Sequence, residues 1–282
     1  MFFGILSSIL YSLCDIYYKK ALLISKKYIT DSFYQFIGYF FLTIVLFICV
    51  LGIEQHVQTM SFFVFGILFI NSILNVLCEY LEQYAFRGEK ISVLTPYGEF
   101  ETIFATVLGF IFFSNNSTLT FLSALLAGVV LIGGSIKRKH LKINKYCLAL
   151  TMSGFLTSLR FLVFGYVLVE FSELTSLFYS ISISFLIITA VVVFKRELYM
   201  VDKTPWKLNK LIFIESGTRI LANLITLYLI KNIGIVEAVL VGMTYMAVNL
   251  LLSYYYFKDR ATKKELIMIG IVFVCIIFWV NS

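Results

Sequence analysis

Long apolar segments alternate with short polar connections along the whole chain. Each segment is close to the length of roughly 20 residues that an α-helix needs to cross the hydrocarbon core of a bilayer. The pattern predicts ten transmembrane helices, numbered 1 to 10 in chain order: residues 2–23, 32–53, 59–85, 91–113, 117–136, 146–168, 173–194, 208–230, 235–257 and 265–281. We therefore expect an all-α integral membrane protein whose outer surface meets the lipid bilayer.

The amino-acid composition favours the same class of protein. Of the 282 residues, 60% are hydrophobic and 14% are charged, whereas a soluble domain usually has about 45–50% and about 25%. The chain has only two prolines, and its apolar segments are longer than the alternating strands of about ten residues that build a transmembrane barrel. The composition thus excludes a soluble domain and favours helices over a barrel.

Basic residues are distributed unevenly between the connections. Twenty of the 23 lysines and arginines lie in or beside the connections that follow helices 1, 3, 5, 7 and 9. Short cytoplasmic loops retain lysine and arginine, so we expect a protein of the plasma (inner) membrane with its odd-numbered loops in the cytoplasm and both termini outside. The basic residues are spread over five loops near the lipid headgroups, and this pattern gives no reason to expect a nucleic-acid partner.

The second half of the sequence repeats features of the first. With a shift of 144 positions, residues 74–92 align with residues 218–236 without a gap, and helix 1 aligns with helix 6 at a shift of 145. Each half has five predicted helices, an odd number, so the halves must cross the membrane in opposite senses. The sequence therefore predicts two inverted repeats, residues 1–140 and 141–282, an arrangement typical of secondary transporters that bind substrate where the repeats meet.

Two passages suggest a known family. They are "ISVLTPYGEFETIFATVLGFIFFSNNSTLTFLSALLAGVVLIGG" at 91–134 and "IVEAVLVGMTYMAVNLLLSYYYFKDRATKKELIMIGIVFVCIIFW" at 235–279. With these passages the chain resembles the drug/metabolite transporter (DMT) superfamily, in particular its ten-helix EamA type, and Asp259 stands where that family has an acidic residue before the last helix. The resemblance implies a central cavity lined mainly by helices 1, 3, 4, 6, 8 and 9, with helices 5 and 10 at the periphery.

Polar residues interrupt several of the apolar segments at helical spacing. Asn71, Asn75 and Glu79 follow one another at intervals of four, and the shift of 144 places Glu215, Arg219 and Asn223 at the matching positions. A charged group at the centre of a bilayer costs at least about 2.5–3.5 kcal/mol, so these groups should face a wet cavity or one another. The candidate substrate- and proton-binding residues are Tyr11, Asp15, Asn71, Asn75, Glu79, Tyr97, Glu99, Arg160, Glu215, Arg219 and Asn223.

The ionisable candidates suggest different roles. Glu215 and Arg219 have the spacing of an ion pair on one helix, and Asp15 could pair with Arg160; too few interior cations then remain for Glu79 and Glu99. We expect these two carboxyl groups to exchange a proton for a substrate amine. An interior arginine could instead bind a substrate carboxylate or phosphate. Glu82 has the helical register of the stripe, and its spacing leaves open whether it lies inside the protein or at the membrane interface.

The function that these features favour is secondary active transport. We expect alternating access for a small polar metabolite, amine-bearing or zwitterionic, coupled to protons; Tyr11 and Tyr97 could stack on its cationic group. A flippase for a lipid or lipid-linked sugar and a membrane protein without transport activity are the alternatives. The sequence contains no catalytic triad, phosphate-binding loop or metal-ligand spacing, so we expect no enzyme, cofactor or metal site, and it does not indicate an oligomeric state.

Overall fold

The described residues of the chain form ten α-helices. The computed structural model describes residues 2–55, 58–89, 94, 97–98, 100–113, 118–135, 144–245, 248 and 263–280. The helices are α1 (Phe2–Ser25), α2 (Asp31–Cys49), α3 (Phe62–Gly88), α4 (Phe100–Phe112), α5 (Thr118–Ser135), α6 (Lys145–Val167), α7 (Glu173–Phe194), α8 (Trp206–Ile233), α9 (Ile235–Gly242) and α10 (Lys263–Val280). Each predicted window overlaps one of them, and the prediction of an all-α chain is confirmed for the described residues, which include no strand.

Several of these helices are long and apolar enough to span a membrane. Five qualify by length and composition within the described residues: Asp31–Glu54, which adds a π-helical turn to α2, and the full lengths of α3, α6, α7 and α8. Large apolar side chains point outward from them, among them Phe62, Phe194 and Trp206, which are at least 80% exposed. An apolar exterior around a partly polar interior is the arrangement that a lipid environment requires.

Local sequence signals explain where the helices begin and end. The side chains of Thr30, Ser61, Asn144 and Ser172 accept hydrogen bonds from backbone N–H groups in the first turns of α2, α3, α6 and α7. These caps satisfy donors that a helix start leaves free. Between α8 and α9 only Gly234 intervenes, with φ 93°, a conformation that a side chain would strain.

The helices assemble into two bundles, each of which mixes the two halves of the sequence. The first bundle contains α1, α2, α8 and α9, and the second bundle contains α3, α4, α6 and α7. Within them, α1 packs along α8 and α3 packs along α6. The α2–α7 packing joins the bundles along one side, whereas α1 and α3, like α6 and α8, touch at few points. Helices α5 and α10 pack on each other and on the α4–α9 side of the molecule.

The α2–α7 pair is held at both of its ends. At one end the Glu54 carboxylate, after α2, accepts hydrogen bonds from the hydroxyls of Ser172 and Thr175 at the start of α7. At the other end Lys195, after α7, donates to the hydroxyl of Ser32 at the start of α2, with an Nζ–Oγ distance of 2.7 Å. The two helices therefore run antiparallel and are fastened to each other at both ends.

A glycine allows α4 and α6 to approach closely. A Cβ atom built on Gly154 of α6 would lie 3.0 Å from the backbone nitrogen and 3.2 Å from the Cα of Glu101 on α4. The neighbouring atoms belong to a helix backbone and so have little room to shift.

We predict that Gly154→Val destabilises the protein by about 1–3 kcal/mol, the usual cost of forcing extra methyl groups into a packed interface. Gly66→Val is the matched control, because the same change in α3 meets nothing within 4 Å. Thermal unfolding in detergent measures both variants. Equal melting temperatures for the two would contradict the close packing of α4 on α6.

Candidate functional site

Helices from both halves bring polar side chains together along the α1–α8 contact. The hydroxyl of Tyr11 donates to Asn223 Oδ1 at 2.6 Å, and the thiol of Cys14 donates to Glu215 Oε1 at 3.5 Å. Residue numbers rise along α1 as they fall along α8, so the two helices are antiparallel. Three predicted site residues, Tyr11, Glu215 and Asn223, thus lie on one helix–helix contact.

Arg219 forms the centre of a three-residue ionic cluster. Its Nη1 lies 2.5 Å from Glu79 Oε1, and its Nη2 lies 2.6 Å from Glu215 Oε1. The guanidinium also lies over the ring of Tyr18, 5.5 Å from the ring centroid, close enough for a cation–π interaction. The cluster connects α8 of the first bundle with α3 of the second.

One part of the expected pairing is confirmed and another is wrong. Glu215 and Arg219 pair along α8, as their spacing predicts. The expectation that no cation remains for Glu79 is wrong, because the fork of one guanidinium reaches two carboxylates at once. A planar guanidinium with several donors makes this double contact possible. A count that gives each cation one partner does not include such a contact.

Two further carboxylates near this cluster have neutral partners. Glu82 accepts a hydrogen bond from the Ser153 hydroxyl at 3.0 Å, and Asp15 accepts one from the hydroxyl of Tyr245. Neither has a cationic partner within the part of the chain that the structure describes. Asp15, Glu79 and Arg219 all lie close enough to Glu82 for their charges to act on it.

Arg160 does not pair with Asp15 as the sequence suggested. It is half-buried, and its Nε is buried without a hydrogen-bond partner among the described residues. Its charge acts on Tyr11, as does that of Glu101. Arg160 therefore lies in the electrostatic surroundings of the site and is not held in any ion pair that the described residues form.

The two asparagines of the polar stripe bind neighbouring helices. Asn71 Nδ2 donates to Ser180 Oγ at 2.8 Å, and Asn75 Nδ2 donates to Tyr39 OH at 2.8 Å. Both asparagines are buried, at 0% and 3% exposure. They fasten α3 to α7 and α2, and the carboxylates Glu79 and Glu82 follow one to three turns further along the same helix.

Two predicted site residues remain, Tyr97 and Glu99. Tyr97 packs against a hydrophobic cluster near the start of α6 that includes the buried residues Cys147 and Leu150. Glu99 is outside the described residues, and its role stays a prediction. Conversely, Glu82, Ser153, Tyr18 and Tyr245 were not among the predicted site residues. The helical register of Glu82 on the stripe was the signal that pointed to it.

The chemistry of the site follows from its charges. Carboxylates outnumber cations among the described residues Asp15, Glu79, Glu82, Arg160, Glu215 and Arg219. Carboxylates that have only hydroxyl partners in a largely apolar protein favour a bound cation or a proton. The site therefore suits an amine-bearing ligand, a proton, or each in turn.

Comparisons with known proteins inform the fold and not the site. No protein-family model matches the sequence, and no curated protein matches it. A solved structure described as "Crystal structure of protein" superposes with a TM-score of 0.73 and 11% sequence identity, covering 99% of this chain and 96% of that chain. At this identity the likeness shows the fold alone, and it extends over nearly the full length of both chains.

We predict that Arg219→Met lowers the free energy of unfolding by about 3–5 kcal/mol, because it leaves Glu79 and Glu215 without their cation. The double variant Arg219→Met/Glu79→Gln should recover part of this loss. Arg160→Met is the matched control, because it breaks no ion pair that the described residues form. Reversible unfolding in mixed detergent micelles measures all three, and equal losses for the two single variants would contradict the cluster.

Proposed function

We propose that this protein is a secondary active transporter of the DMT superfamily, EamA type, in which ten membrane-spanning helices form two inverted repeats. It moves a small polar, amine-bearing metabolite across the plasma membrane by alternating access and exchanges it for protons. The observation that carries the proposal is the pair of carboxylates, Asp15 and Glu82, that lies between the two bundles beside the Glu79–Arg219–Glu215 cluster and has only hydroxyl partners among the described residues.

The pattern of helix packing supports the inverted repeat. In the proposed repeat each helix of the first half corresponds to the helix numbered five higher, so that α1 corresponds to α6 and α3 to α8. This correspondence turns the α1–α8 contact into the α3–α6 contact. The α2–α7 and α5–α10 contacts are each converted into themselves. The same correspondence relates the two hydrogen-bonded ends of the α2–α7 pair. Glu54 after α2 binds the start of α7, and Lys195 after α7 binds the start of α2.

The location of the carboxylates supports transport more than a purely structural role. Asp15 is exposed although it lies near the middle of α1. A charged group at this depth should face water or a ligand, since contact with lipid is costly. Glu82 reaches the same region from α3, so the ligand would lie between helices of both bundles.

The two arginines suit different roles in this scheme. Arg219 is occupied by two carboxylates and therefore does not bind an anionic substrate group. Arg160 is held by no carboxylate of the described residues and can bind the carboxylate of a zwitterion. An amine at Asp15 and Glu82 with a carboxylate at Arg160 would describe an amino-acid-like substrate.

Proton coupling is assigned to the acidic excess of the site. The cluster of Glu79, Arg219 and Glu215 has one more carboxylate than cations, so one proton neutralises it while Arg219 keeps a charged partner. Glu99 is the second proposed coupling group. The basic residues after the odd-numbered helices support an orientation in which those loops face the cytoplasm and both termini lie outside.

Transport in proteoliposomes that contain a pH-sensitive dye tests the function. A panel of primary amines, amino acids and nucleotide sugars, first screened by thermal shift, supplies the substrates. We expect an amine-bearing compound to drive proton flux. Asp15→Asn and Glu82→Gln should each reduce its rate about tenfold or more, since a lost hydrogen bond to a charged group costs about 1.5–3 kcal/mol and about 1.4 kcal/mol is tenfold.

Glu170→Gln is the matched control, because Glu170 is an exposed carboxylate between α6 and α7. Glu79→Gln and Glu99→Gln should change the pH dependence of the flux. Flux that is the same in Asp15→Asn, Glu82→Gln and the control would refute the proposed site. Movement of a labelled lipid without response to any amine would instead favour a flippase, and no movement of any compound would favour a protein without transport activity.

A further inference from the structure

Three ion pairs join the two bundles within the described part of the chain. One is the Arg219–Glu79 pair of the site, and the others, Arg87–Asp31 and Lys231–Glu173, lie at helix ends. We propose that the two outer pairs are latches that close the site toward opposite faces of the protein. This inference rests on the proposed transport function and adds to it the residues that govern access.

The first latch gathers the ends of three helices. Arg87, in the last turn of α3, lies 2.7 Å from Asp31 Oδ1 in the first turn of α2. The same guanidinium donates to the hydroxyl of Ser25 at the end of α1, at 3.2 Å. A second-bundle helix is thereby tied to two first-bundle helices, at a place where α3 otherwise touches α1 and α2 at few points.

The second latch has the same construction. Lys231, in the last turn of α8, lies 3.6 Å from Glu173 Oε1 in the first turn of α7. Its ammonium group also donates to the backbone carbonyl of Phe171, just before α7, at 3.3 Å. Here a first-bundle helix is tied to the start of a second-bundle helix.

The latches are related by the internal repeat. Arg87 and Lys231 occupy matching positions at the shift of 144 that aligns α3 with α8. Asp31 and Glu173 are each the first residue of their helix, directly after a capping residue, Thr30 or Ser172. The correspondence includes the cation, the carboxylate and the cap.

The latches also lie at opposite faces. Because α1 and α3 end together at Arg87 and α1 is antiparallel to α8, α3 and α8 run in opposite directions. Arg87 lies eight residues beyond Glu79 and Lys231 lies twelve beyond Arg219, which correspond to about 12 Å and about 18 Å of helix. The distance between the latches is therefore about the hydrocarbon thickness of roughly 30 Å, with the site between them.

The strength of the latches suits a device that opens. The paired side chains are 19–38% exposed, and ion pairs of this kind shift an equilibrium only a few-fold. The α2–α7 pair, in contrast, is fastened at both ends. Either latch can therefore break while the α2–α7 contact acts as the pivot between the bundles.

Two native cysteines report on access to the site. Cys14 donates to Glu215, and Cys78 lies beside Ser153 and Thr157. In a protein that keeps Cys14 or Cys78 while its other cysteines are changed to serine, a membrane-impermeant thiol reagent is applied to vesicles of known orientation. The reaction rate from each face then measures how often that face is open.

We expect Arg87→Gln to raise the labelling rate from the Arg87 face about two- to five-fold and to lower it from the Lys231 face, as the loss of a partly exposed ion pair predicts. Glu173→Gln should have the opposite effect on the two faces. Arg87→Lys keeps the charge and should restore the parent rates. Arg196→Gln and Glu170→Gln are the matched controls, because both change exposed residues at the respective faces.

The outcomes separate the latches from the transport function itself. Labelling of the parent from both faces, together with the opposite shifts, supports both. If the parent is labelled from both faces but the latch variants leave the rates unchanged, or shift both rates in the same direction, the latches are refuted. Alternating access then still stands. A parent and variants that react from neither face, or from one face only, overturn both.

Discussion

The balance of charge around Arg219 is the interaction on which the centre of this molecule depends. Its guanidinium lies between Glu79 and Glu215 and over the ring of Tyr18. A charge in a membrane-spanning bundle has a high cost unless a partner or water compensates it. Arg219 provides that compensation for two carboxylates and in doing so links helices that otherwise belong to different bundles. Glu82 also lies close enough for the charge of Arg219 to act on it.

The polar side chains of the interior fall into two groups: asparagines that join helices, and carboxylates that belong to the proposed binding site. The side-chain amides of Asn71 and Asn75 donate hydrogen bonds to hydroxyl groups on α7 and α2. Buried polar groups need such partners, and these bonds hold the three helices together. Asp15 and Glu82 have hydroxyl partners, which a ligand or proton replaces in the function that we propose. One helix, α3, thus contributes both to the frame of the protein and to its chemistry.

The sequence predicted the positions of the helices well, because the bilayer imposes a length that the apolar pattern records. The pair Glu215–Arg219 was also predictable, since spacing along one helix determines it. The second partner of Arg219 was not, because contact between α3 and α8 depends on packing that no local pattern contains. The stripe from Asn71 to Glu82 extends over about 16 Å, and a helix that crosses its neighbours at an angle meets different partners along such a length.

The single glycine between α8 and α9 has a mechanical consequence. Only Gly234 lies between Ile233, the last residue of α8, and Ile235, the first residue of α9. Because no longer loop separates the two helices, a displacement of the end of α8 also displaces the start of α9. The chain then leads, a few residues later, to Tyr245, whose hydroxyl binds Asp15. Only twelve residues of chain therefore separate the end of α8 at Ile233 from the hydroxyl of Tyr245 that binds Asp15.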